Sequence, residues 1–199
     1  MRSIPEPSQS SALPARRSAA VLVPVYDGPA GPTLLLMRRT HTINHPGQVA
    51  FPGGRPEPGD ADLLATALRE AQEELGIDPS AVRIVGALPV VETLTSNYAI
   101  SAFVGRLHSR PPLRPQESEV AAVLDVPLAL LLRANLPVQE EWPVPLPGER
   151  ALVPPTLGAG VPQTRTIRYF PWGEDKIWGA TGRMIEHVLA AVRSGSLAL

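Results

Sequence analysis

Glu70, Glu73 and Glu74 fall within one turn of a segment with helical spacing, so three carboxylates share a small patch of one helix. Glu70 and Glu74, four apart, stack on one side, and Glu73 lies a step farther round. Like charges at this spacing cost ~0.2 to 0.5 kcal/mol, and anions near a helix C-terminus oppose its dipole. Something must offset that repulsion. A divalent cation would, because Mg2+ and Mn2+ prefer carboxylate oxygens and a helix sets those oxygens at a fixed separation. A glutamate-rich helix surface can also be merely solvated. The stretch just upstream, Phe51-Pro52-Gly53-Gly54, argues otherwise, since it reads as a tight turn whose backbone can approach a phosphate. A turn feeding a carboxylate helix makes a phosphate-metal site, where metal ions put positive charge on phosphate oxygens and can activate a water.

The elements that must position these residues follow from patterning. Residues 62–75 form a helix with Leu63, Leu64, Ala67, Leu68, Ala71 and Leu75 on its apolar stripe, an aspartate to cap its start and Gly76 to end it. Arg69, four residues before Glu73, can hold that side chain in place. Strands are expected at 19–26 and 33–38, joined by a turn, and at 82–91, 98–107, 120–126 and 165–170. A second helix spans 181–192, with Met184, Ile185, Val188, Leu189 and Val192 on one face. Arg38 and Arg39 leave a strand toward the glycine turn, and their planar guanidinium groups suit phosphate. Strand alternation aims one of the two at the site. His41 and His45 can add hydrogen bonds to a ribose phosphate, although surface or packing roles are common for histidine. Glu117 and Glu119 stand just before the strand expected at 120–126. The mixture of strands and helices predicts an α/β domain with a mixed sheet between helices. It would occupy residues 19–194, with a tail at 1–18, a proline-rich loop at 137–162 and a short tail at 195–199.

Gly53-Gly54 followed by Arg69-Glu70-Ala71-Gln72-Glu73-Glu74-Leu75-Gly76-Ile77 resembles the box of the Nudix hydrolases. Asp60 stands where that family usually has the box's first glutamate, and the spacing from Gly54 to Arg69 is one residue longer, which we read as a capping variation. The resemblance implies an α/β/α sandwich, Glu70 and Glu74 as metal ligands, and Glu73 as a further ligand or a water-orienting group. The family often adds a carboxylate from a loop beyond the box, which makes Glu117 and Glu119 the candidates, and similar sequences place an acid immediately before the valine that opens the later strand, which favours Glu119. A second stretch, Leu34 to Arg39 with His45 to Gly54, is similar to the additional motif of the coenzyme A pyrophosphatase branch, as is Ile177-Trp178-Gly179-Ala180-Thr181 near the end. Trp178 has core packing as its simpler role. The branch motif normally carries an arginine where this chain has Ile43. On this resemblance the expected reaction is metal-dependent cleavage of coenzyme A or acyl-CoA to 3',5'-ADP and 4'-phosphopantetheine or its acyl form. The alternatives are a Nudix hydrolase of ADP-ribose or another nucleoside diphosphate derivative, and a non-catalytic nucleotide-binding regulator.

Composition narrows the partners. A net charge of -1 over 199 residues offers no broad field to attract nucleic acid or an anionic membrane. With no cysteine there is neither a disulfide framework nor a thiol nucleophile, and a reducing cytoplasm is the expected setting. No apolar run approaches the ~20 residues of a membrane-spanning helix. The expected partner is a small molecule.

Overall fold

The structure, a computed structural model, describes residues 16–40, 47–93, 97–133, 135–143 and 164–199. In chain order β1 (Arg17–Gly28) and β2 (Gly31–Arg39) form a hairpin, followed by β3 (Val49–Ala50), β4 (Gly53–Gly54) and α1 (Leu63–Leu75). A 3-10 turn at Pro79–Ala81 leads to β5 (Arg83–Ala87), β6 (Val91–Glu92), β7 (Tyr98–Leu107), β8 (Val120–Pro127) and α2 (Leu128–Leu131). The described chain then holds β9 (Val138–Pro143), β10 (Thr164–Trp172), β11 (Asp175–Trp178) and α3 (Gly179–Arg193).

β1 is apolar almost throughout because it is buried on both faces. Ala20, Leu22 and Tyr26 join the cluster around Ala67, Ala71 and Leu75 of α1, while Val23 and Val25 join the cluster containing Ile185, Val188 and Leu189 of α3. α1 and α3 therefore cover opposite sides of one sheet, the α/β/α arrangement expected. The sheet runs β3-β2-β1-β7-β5, with β4 on β1, β6 on β7 and β8 on β2. It is mixed because β1 and β7 run parallel while the remaining pairs are antiparallel. A second, antiparallel sheet, β11-β10-β9, contributes Phe170 and Ile177 to the α3 side of the core. A buried leucine contributes roughly 1.5 to 3 kcal/mol by leaving water. Several such residues outweigh the few tenths that the glutamate repulsion costs α1.

Four sequence readings change. Gly53–Gly54 is not a turn but a short strand on β1, with Val21 opposite Gly53 and Ala20 opposite Gly54. The strand expected over 82–91 divides into β5 and β6, where Pro89, lacking an N–H, cannot extend the ladder. The loop expected over 137–162 begins with β9, whose Val138 to Pro143 pair with β10; residues 144–163 lie outside the described chain. Finally, residues 195–199 fold back, Leu197 donating its N–H to the carbonyl of Ala191 and burying its side chain in the α3-side core. Among the described residues no helix is long and apolar enough to cross a membrane.

Candidate active site

α1 is fixed at both ends by its own sequence. The Asp62 carboxylate accepts from the N–H of Ala65 at 2.8 Å, and Gly76 adopts a left-handed conformation. The N–H groups of Gly76 and Ile77 then reach the carbonyls of Gln72 and Ala71. The cap is thus Asp62 and not Asp60. Asp60 instead takes both Nε and Nη2 of Arg69, at 3.0 and 3.1 Å, and accepts from the Thr66 hydroxyl and the Glu57 N–H. The Arg69 hydrogen bonds foremost hold its carboxyl well below the usual range. The remaining nitrogen of Arg69 lies 2.9 Å from Glu73 and 3.2 Å from Glu70, so the expected Arg69–Glu73 pair forms.

Glu74 is buried, only 3% exposed. One of its oxygens accepts from the Gly53 N–H at 2.8 Å, and the other stands 3.9 Å from Arg39. Glu70 is partly buried beside Gly54, where an added Cβ would collide with its carboxylate. At Gly53 a Cβ would strike the backbone of β1. The two glycines therefore serve close approach: one lets β4 lie on β1, the other leaves room for Glu70. Burial pushes the Glu74 carboxyl up to about 7, against the Gly53 N–H and Arg39, with Glu70 and Glu119 adding to the rise. Burial likewise raises Glu70, opposed by Arg69 and reinforced by Glu73 and Glu119.

Glu119 reaches this field through a loop tied at several points. Arg114 and Gln116 donate their N–H groups to the carbonyls of Leu75 and Glu74, at the end of α1. Thr40 donates its N–H to the Glu119 carbonyl and its hydroxyl to that of Ser118. Glu117 is exposed in the same loop. The two strand arginines separate: a register irregularity falls between Arg38 and Arg39, and Arg38 makes a bidentate pair with Asp175 at 3.0 and 2.6 Å. His41, Ile43 and His45 lie outside the described residues. Trp178 is partly buried, its ring 5.2 Å from that of Trp142, consistent with a packing role.

Among the described residues, no three acidic or histidine side chains stand close enough to ligate one ion as they are placed. The donor chemistry nevertheless fits a hard divalent cation. Glu70 and Glu74 are carboxylates whose burial raises their proton affinity, and Glu119 adds negative charge to both. Sequence reading missed Asp60 as the anchor of Arg69 and Thr40 as the tether of Glu119. The family position of Asp60 was a usable signal for the first; the Thr40 contact spans 78 residues and left none.

A family model described as the NUDIX domain matches residues 15–143, more than half of the chain. The chain belongs to the Nudix family. Its sequence is 47% identical over 118 residues to Nudix hydrolases named NudL, uncharacterized, from Salmonella paratyphi B and Salmonella newport. The match covers 59% of this chain and 61% of those proteins, so the chain spans about three fifths of the length of the curated relatives it matches. Among solved structures, a MutT/nudix family protein from Enterococcus faecalis superposes with a TM-score of 0.56 at 13% identity, over 96% of this chain and 66% of that one. A Nudix hydrolase from M. smegmatis, RenU, gives 0.50 at 19% identity, over 59% and 74%. At these identities the likeness is one of Nudix fold.

Proposed function

We propose that this Nudix protein is a divalent-metal-dependent pyrophosphohydrolase acting on coenzyme A or acyl-CoA. The observation that carries the catalytic part is the buried Glu74 and partly buried Glu70 beside Gly53 and Gly54, with the Glu119 charge acting on both. Such a set has little use for its own repulsion unless a cation joins it. Glu70, Glu74 and Glu119 would hold Mg2+ or Mn2+, and Glu73, kept by Arg69, would serve as a further ligand or orient water. When bound, the metal supplies Lewis acidity on the phosphate oxygens and lowers the pKa of water.

The reaction splits the P–O–P bridge. A water oxygen adds to one phosphorus, and the bridging oxygen departs with the other phosphate. The chain's own part is positional: Asp60 and Arg69 fix the helix side chains, and Thr40 fixes the loop of Glu119. Arg39, the strand arginine beside Glu74, is the substrate-side cation of the pair, whereas Arg38 is committed to Asp175. His45 with Gly53 and Gly54 completes the proposed substrate contacts.

The coenzyme A assignment rests on the resemblance of the Leu34 to Gly54 stretch to the coenzyme A pyrophosphatase branch. With Ile43 in place of the branch's arginine, one basic partner for the ribose 3'-phosphate is lost. A charge-assisted hydrogen bond is worth ~1.5 to 3 kcal/mol, so preference over dephospho-coenzyme A should fall by roughly one to two orders of magnitude. The test is kcat/KM for coenzyme A, dephospho-coenzyme A and ADP-ribose side by side with Mg2+ or Mn2+, products identified by mass. Coenzyme A cleavage with modest preference over the dephospho form supports the assignment. ADP-ribose as the best substrate overturns the branch, and no cleavage of any of the three overturns the enzyme.

A further inference from the structure

A cavity of about 280 Å³ opens beside Glu70, lined by Arg55, Pro56, Glu57 and Glu70. Two of its walls are acids, and any diphosphate lodged there would need a cation within reach. The neighbouring arginines each stand against a carboxylate. Arg38 is bidentate on Asp175, Arg39 faces Glu74, and Arg69 divides its nitrogens among Asp60, Glu70 and Glu73. Arg55 differs from all three: it is exposed, and among the described residues its guanidinium meets no carboxylate.

The backbone of Arg55 is nonetheless fixed. Its carbonyl accepts from Arg69 Nη2 at 3.0 Å, and the following Pro56 biases it toward an extended conformation. Gly54 immediately before it belongs to β4. The result is a free planar cation on a held backbone, next to a carboxylate proposed to bind metal. Such a group suits bidentate contact with phosphate oxygens.

We infer that Arg55 is a diphosphate-binding residue, its guanidinium closing over the phosphates in the cavity beside Glu70. The inference rests on the pyrophosphohydrolase reading and adds to it a contact outside the acidic cluster. Because the Arg55 side chain makes no hydrogen bond or ion pair among the described residues, its removal acts on ligand and not on fold.

The experiment compares wild type, Arg55→Gln and Arg55→Lys, each full length with Mg2+. Calorimetry reads the dissociation constant of α,β-methylene-ADP, a diphosphate whose bridge cannot be hydrolysed. Thermal unfolding is followed in parallel. The expected result is a roughly ten- to hundredfold weaker affinity for Arg55→Gln, partial recovery in Arg55→Lys and an unchanged Tm in both. If wild type binds and Arg55→Gln binds equally well, the Arg55 inference falls while the pyrophosphohydrolase reading stands. If wild type itself binds no diphosphate with metal present, both fall together. Weaker binding in Arg55→Gln with a Tm lowered by several degrees would also overturn the inference, since it would assign the side chain a structural role.

Discussion

Glu74 carries a charge that the folded protein disfavours. Its folded-state pKa of about 7 lies above the ordinary 4.5 of an unfolded glutamate, because burial outweighs the Gly53 N–H and Arg39. An acid whose pKa is raised on folding destabilises the fold when ionised. The penalty is absent below about pH 4.5, grows through the interval and is complete above about pH 7. Its size is on the order of 3 kcal/mol. In metal-free protein Tm should therefore fall as pH rises from 5 to 8, and Glu74→Gln, whose amide oxygen can still accept from Gly53, should flatten that fall. An equal slope in the variant would place the titrating group elsewhere. With metal, Glu74→Gln and Glu70→Gln should each lower kcat by orders of magnitude, and without it each should leave Tm equal or higher. These glutamates were legible in the sequence because helical spacing is local. The choice between Arg38 and Arg39 was not, since it depends on an irregularity in the β2–β8 ladder and on Asp175, far along the chain.

The loop between β7 and β8 is an element whose shape is dictated from outside it. Its backbone hangs on the carbonyls that end α1 and on Thr40 at the end of β2, so Glu119 is placed by hydrogen bonds that belong to other segments. Replacing Thr40 with Val keeps the N–H to Glu119 but deletes the hydroxyl bond to Ser118. Such a bond contributes about 0.5 to 1.5 kcal/mol net, so Mn2+ affinity and kcat should each drop by roughly two- to tenfold, with Thr40→Ser restoring both. Loss of Tm without loss of Mn2+ affinity would reduce Thr40 to a packing residue. Glu119→Gln should impair turnover more than Glu117→Gln, and the reverse order would mean that the loop presents the other acid. Strands such as β1, β7 and β8 could be read from their apolar runs, whereas β3 and β4 are two residues long and leave no periodicity to detect. β9 escaped notice because it sits at the start of a proline-rich stretch and owes its form to pairing with β10.

Across the whole molecule the two sheets are joined at Arg38 and Asp175, which bridge β2 to β11. Arg38 is 39% exposed along its side chain, so solvent weakens the pair, and a double-mutant cycle with Arg38→Gln and Asp175→Asn should return a coupling of about 0.5 to 1 kcal/mol. Turnover should change little in Asp175→Asn; a large fall in KM or kcat there would show that the tether also shapes the site. The division of one sheet between two helical layers was visible in advance, since strand and helix patterns mix along the chain and the glutamate box resembles that of a family with this sandwich. The companion sheet was not, because its strands become apolar only on the side that meets α3. One property of the central ladder bears on how the protein is made. β1 pairs in parallel with β7, so Arg17 must wait for Tyr98 and a loop of about eighty residues has to close before the middle of the sheet exists. The glutamate helix is synthesised inside that loop, too short and too self-repelling to persist alone. During translation the helix therefore gains its full sheet support only once β7 has left the ribosome, and Glu119 joins Glu70 and Glu74 later still, so the carboxylate cluster is completed late in the making of the chain.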